Sequence, residues 1–114
     1  MTLPSKELLS AVLGKNILTV RQNRRDKQWS IIHIVYTEED EEHSRDINVY
    51  ELMHLMKEWA FEQGVEVVTY KRAYKTYRAL PRGLKGIQTP EITEATEFEV
   101  VTKACEWIKE NNEK

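Results

Sequence analysis

Apolar residues recur along this chain at the two periods that separate helices from strands. Leu8, Leu9, Val12 and Leu13 lie three or four apart, as one helix face requires. They predict a short helix over residues 4–13. Pro4 suits its first turn, where a missing N–H costs nothing, and Gly14 suits a left-handed cap. Residues 49–63 carry the clearest helical pattern. Val49, Leu52, Met53, Met56, Trp59 and Ala60 share one side at helical spacing. Asn48 is a good N-cap, Glu51 three residues on completes an N-x-x-E version of the capping box, and Ile47 with Leu52 fits a hydrophobic staple. Gly64 ends this helix. Thr96 and Glu99 predict a second capping box and a last helix over 97–110, with Phe98, Val101, Ala104, Cys105 and Ile108 as its buried stripe.

The strand signals differ in kind. Residues 16–23 and 28–37 are rich in β-branched and aromatic residues, and a polar turn at Arg24-Arg25-Asp26-Lys27 divides them. In the second of these, Trp29 to Tyr36, apolar groups fall on both alternating faces, which predicts a central strand covered on both sides. Residues 38–46 are almost wholly polar and predict a solvated loop. Residues 65–70 predict a strand. In 71–80 the spacing of Tyr70, Tyr74 and Tyr77 suits a helix, whereas the tyrosines, Thr76 and the preceding valines favour β, the preferred reading. Pro81, Gly83 and Gly86 predict a loop, and 91–95 a short edge strand. The sequence has no internal repeat, low-complexity tract or interdomain linker.

The predicted order is therefore α-β-β-α-β-β-(β)-α over residues 1–114, a single α+β domain. The expected architecture is an antiparallel sheet of four to five strands with three helices packed mainly on one face.

Composition narrows the functional classes. Hydrophobic residues make up 40% and charged residues 32% of the 114, a globular balance. The formal net charge of −2 gives no bulk reason to expect nucleic acid or membrane, so such partners must rest on local patches. A lone cysteine, Cys105, cannot build an internal disulfide framework and fits a reducing compartment. The first residues lack the basic-then-apolar layout of a signal peptide, and no apolar run is long enough to span a membrane. A cytoplasmic location is expected.

Three stretches carry a resemblance: Pro4-Ser5-Lys6-Glu7-Leu8-Leu9-Ser10 through Gly14, Ile47-Asn48-Val49-Tyr50-Glu51-Leu52 through Trp59-Ala60, and Lys103-Ala104-Cys105-Glu106-Trp107-Ile108. Together they resemble small bacterial proteins of prophage or mobile-element type, a group with no known activity. The resemblance covers the three helices, roughly a third of the chain, and stops short of residues 65–90. It implies an accessory role and supplies no functional residues.

Three surfaces are candidates for recognition. The first is basic and aromatic: Lys71, Arg72, Lys75, Arg78, Arg82 and Lys85 interleave with Tyr70, Tyr74 and Tyr77, and no acidic residue occurs from Val67 to Pro90. Cations can follow phosphates while aromatic rings stack on unpaired bases, and Arg21, Arg24, Arg25 and Lys27 would widen such a patch. The ordinary alternative is a solvated edge strand whose lysines discourage aggregation. The second is the acidic run Glu38, Glu39, Asp40, Glu41 and Glu42, able to mimic a phosphate backbone in a nuclease inhibitor or decoy, or to dock on a basic partner. It lacks the glycine of a calcium loop, and its ordinary alternatives are a solvated loop or pairing with the basic segment of the same molecule. The third is the back of the central helix. Tyr50, His54, Lys57 and Phe61 recur at intervals of 4, 3 and 4, opposite the core stripe. Two aromatics on an outward face suit a partner-docking surface or a homodimer seam, unless another element of the chain covers them.

Nothing points to catalysis. His33, His43 and His54 are scattered without metal spacing. His54 with Glu51 or Glu58 is a pairing that helix surfaces produce by chance. His33 reads as a satisfied or edge histidine, and Cys105 as a small hydrophobe on an apolar stripe. Gly83 and Gly86 lack the rest of a phosphate-loop fingerprint. No catalytic residue, metal site or cofactor is expected, and the leading expectation is a non-catalytic protein that binds another protein.

Overall fold

The computed structural model describes residues 3–22, 30–72, 76–83 and 91–112. Tyr74, Lys75, Lys85, Arg24, Arg25 and Lys27 lie outside the described residues, as does Gly86. The element order is α1 (Lys6–Leu13), β1 (Asn16–Gln22), β2 (Ile31–Glu38), β3 (Glu41–Asn48), α2 (Val49–Glu62), β4 (Val65–Arg72), β5 (Thr76–Gly83), β6 (Ile92–Glu94) and α3 (Glu97–Asn112). The α+β class is as expected.

The sheet is not. The strands form two three-stranded antiparallel meanders, β1-β2-β3 and β4-β5-β6, in place of one sheet of four to five strands. The reason lies in the acidic segment. Residues 41–48 pair with β2 over its whole length, from Glu38↔Glu41 to Ile31↔Asn48, and so complete the first sheet before α2 begins. The predicted loop over 38–46 is thus a tight turn and a strand. Glu and Asp are depleted in strands, and residues 41–46 are all exposed on this sheet margin, so no apolar alternation announced them. After α2 the chain repeats the element order β-β-β-α, although the sequence repeats nothing.

Of residues 71–80, the described 71–72 and 76–80 are β, at the end of β4 and in β5, which pair from Val65↔Gly83 to Arg72↔Thr76. Pro81 and Gly83, expected in a loop, lie in β5. The short edge strand after it forms as β6 and pairs with residues 77–79.

Local chemistry sets the helix ends. Ser5 caps α1, its Oγ accepting from the Leu8 N–H at 3.1 Å, so Pro4, expected in the first turn, precedes the helix. Gly14, at φ 67°, closes that helix by donating its N–H to the Ser10 carbonyl. Asn48 Oδ1 accepts from the Tyr50 N–H at 2.8 Å. Glu51 does not close the expected capping box and instead accepts from Arg45 at 3.0 Å. Of the expected Thr96–Glu99 box, the Thr96 cap forms, but Glu99 reaches the Thr96 hydroxyl in place of its backbone N–H. The Glu99 N–H donates to Thr96 Oγ1 at 3.2 Å, and that hydroxyl donates to the Glu99 carboxylate at 3.0 Å.

The helices share a core with one face of each sheet. α1 packs on β1, α2 on α3 and β4, and α3 across β4, β5 and β6. Leu8, Leu9, Ile32, Ile34, Ile47, Leu52, Met56, Val65, Val101 and Ile108 are all buried in this one cluster. A β-bulge between Ile17 and Thr19 skips Leu18, so that Ile17 and Val20, three apart, both turn toward the core. In β2, Ile32 and Ile34 face the helices, while His33 and Val35 keep partial exposure on the other side. The expected cover on both faces is absent among the described residues.

Candidate docking face on the second helix

α2 is held by its apolar stripe, and that fixes what its other side presents. Val49, Leu52, Met53, Met56, Trp59 and Ala60 are buried. On the opposite side, Tyr50 is 69% and Phe61 59% exposed. No described element covers either ring, so neither α3 nor the N-terminal segment hides the stripe. His54, exposed between them, pairs with Glu58 one turn on at 3.0 Å. Lys57 bends away toward β4 and α3, donating to Thr69 Oγ1 at 3.2 Å and to Glu97 at 3.5 Å. Thr69 in turn donates to Glu97 at 2.7 Å. The face therefore has two exposed aromatic ends and a charged middle anchored to the fold.

Beside this face an open groove of about 520 Å³ runs between α2 and β4. From α2 it is lined by His54, Lys57, Glu58, Phe61 and Glu62; from β4 it takes Glu66 and Val67. The β4 half of this groove carries no helical periodicity and was not among the sequence candidates.

The basic and aromatic segment is not one platform among the described residues. Strand alternation divides it. Tyr70 pairs across with Arg78 on one face and Lys71 with Tyr77 on the other. Tyr77 packs against the core. Arg78 sits over the Tyr70 ring, 5.9 Å from its centroid, and forms an ion pair with Glu91. Arg72 and Arg82 lie in β4 and β5.

The acidic run occupies the β2–β3 hairpin. Glu39 and Asp40 are its two turn residues, both at positive φ, 54° and 64°. Glu38 accepts from Lys15 at 2.6 Å, so its described partner is β1's neighbour and not the basic segment. That hydrogen bond and the ammonium charge hold the Glu38 carboxyl below its usual range and raise Lys15. Glu41 and Glu42 open β3, exposed.

His33 is satisfied, as its place in a strand suggested: its Nδ1 lies 2.7 Å from Asp46 Oδ1 across β2 and β3. His43 stacks on Tyr36 with centroids 5.6 Å apart. Cys105 is buried. Its Sγ donates to the Met56 carbonyl at 3.5 Å, and burial pushes the thiol pKa up to about 12, far from a nucleophile's range. Among the described residues no group of three His, Cys, Asp or Glu could hold a metal ion, and no helix is long and apolar enough to cross a membrane. No protein-family model, curated protein or solved structure matches this chain.

Proposed function

We propose that this protein is a non-catalytic accessory protein that works by binding another protein through the outward face of α2, with Tyr50 and Phe61 as its anchors. The observation that carries this reading is their exposure on a helix whose other side is fully engaged. Large aromatic rings contribute most at interfaces, where burying them removes extensive apolar surface from water at small entropic cost. The residues around them suit recognition better than chemistry. His54 is tied to a glutamate, Lys57 to α3, and the buried thiol stays protonated. The helical segments' resemblance to prophage-type proteins agrees with an accessory role.

Site-specific photo-cross-linking in the cell tests this. A photoreactive residue in place of Tyr50 is expected to give a discrete adduct that the same residue in place of Glu7, exposed on α1, does not. Phe61→Glu is expected to abolish that adduct. An adduct with the mass of two copies identifies the partner as the protein itself. Equal labelling from both positions, or none from position 50, overturns the reading.

A further inference from the structure

The groove beside α2 has three properties that together specify an occupant. Its charge is the first. Glu58, Glu62 and Glu66 all line it. Lys57 is already engaged with Glu97 and His54 with Glu58, and Glu62 has no ion pair among the described residues; Glu66 lies opposite Arg82 across the β4–β5 ladder. Its apolar lining is the second: Phe61 from the helix and Val67 from the strand. The third is its position on β4. Glu66 and Val67 are consecutive, so their side chains point to opposite faces of the sheet. Both can line one groove only where it follows the outer margin of the strand.

That margin has no strand partner among the described residues. β4 is the first strand of its sheet, and its only described strand partner is β5. The register also indicates which backbone groups point outward. Val67 lies opposite Pro81, which has no N–H to exchange, so this is a pair of the type that makes no mutual hydrogen bonds. Val67 and its alternate neighbours Val65, Thr69 and Lys71 then direct N–H and C=O away from β5. An eight-residue strand margin without proline or bulge is a template for another strand.

We propose that this groove takes an extended basic segment of a partner protein, added to β4 as a fourth strand. An apolar side chain of that segment lies against Phe61 and Val67, and flanking Lys or Arg side chains meet Glu58, Glu62 and Glu66. The proposal rests on the reading of α2 as a docking face and names the chemistry of its partner. The same carboxylates repel phosphate, so nucleic acid does not suit this groove.

The test uses the full chain and labelled peptides of the form Gly-Lys-Val-Arg-Val-Lys-Gly, read by fluorescence anisotropy at about 50 mM salt, where exposed charges are weakly screened. The basic peptide is expected to bind at least about tenfold more tightly than its Glu-substituted counterpart, and Glu62→Lys with Glu66→Lys is expected to remove that preference. N-methylation of alternate peptide amides is expected to abolish binding in one phase of the alternation and spare it in the other. Equal affinity for both peptides, or no binding of the basic one, overturns the proposal. So does indifference to N-methylation, which shows a partner that is not extended. If light scattering instead finds a dimer that the charge-reversed variant dissolves, the occupant is a second copy and the proposal fails. Tyr50 lies outside the groove lining. A cross-link from position 50 that persists while the peptides fail leaves the docking face standing and removes only this inference.

Discussion

At the scale of single residues, buried groups give the sharpest expectations. Cys105 is held as a thiol by burial, and a thiolate is the form that reacts. Iodoacetamide at pH 8 is expected to leave it unmodified in the folded protein and to alkylate it in denaturant; modification of the native protein at the rate of a free thiol would contradict its placement. Thr102 is 1% exposed, and its Oγ1 finds no partner among the described residues. Thr102→Val keeps the shape and removes a desolvated hydroxyl, so denaturant unfolding is expected to show a gain of about 1 kcal/mol. The Lys15–Glu38 pair gives a pH dependence at both ends. Glu38 is lowered, so its contribution is present above the ordinary carboxylate range and is lost as pH falls through the depressed value. Lys15 is raised, so its contribution is present below the ordinary lysine range and is lost as pH rises through the elevated value. NMR titration is expected to find the Glu38 midpoint below 4.5 in the native protein and restored by Lys15→Met.

At the scale of elements, the sequence was read well where one side chain carries the information. The caps at Asn48 and at Thr96 are local, and both form. Asn48→Ala is expected to cost about 1 kcal/mol, measured by thermal or denaturant unfolding. The β2–β3 hairpin went unread because its turn lacks the usual residues. A two-residue turn with positive φ at both positions is of type I′ and favours Asn-Gly, yet Glu39 and Asp40 occupy it. Each L-residue in that region bears a strain of about 1–2 kcal/mol, so Glu39→Asn with Asp40→Gly is expected to stabilise the fold by about that amount. An unchanged midpoint would mean that the acidic turn is not strained. The outward stripe Tyr50, His54, Lys57 and Phe61 was legible from helical spacing alone. The groove was not, since Glu66 and Val67 join it through the β4–β5 pairing, which no local pattern encodes. Nor could spacing show that Tyr77 turns inward and Tyr70 outward, because interleaved strand residues look like one cluster in sequence.

At the scale of the whole molecule, the repeated β-β-β-α order suggests two halves, but the core does not divide between them. Ile32 and Ile47 of the first sheet, Val65 and Ala79 of the second and Leu52 and Ile108 of the helices belong to one buried cluster. The two halves should therefore unfold together. Circular dichroism and tryptophan fluorescence, which reports on Trp59 of α2 and Trp107 of α3 among others, are expected to give coincident transitions. Leu52→Ala, fully buried where α2 meets that core, is expected to cost about 2–5 kcal/mol without separating the two transitions.

The contrast between β3 and β4 has a consequence for handling this protein in solution. Glutamates and an aspartate along β3 deter stacking of one molecule on another, whereas Val65, Val67 and Val68 leave β4 with no such deterrent but Glu66 and its terminal cations. The protein stored alone should therefore coalesce through residues 65–72 first, and a basic peptide bound as proposed above should act as a preservative.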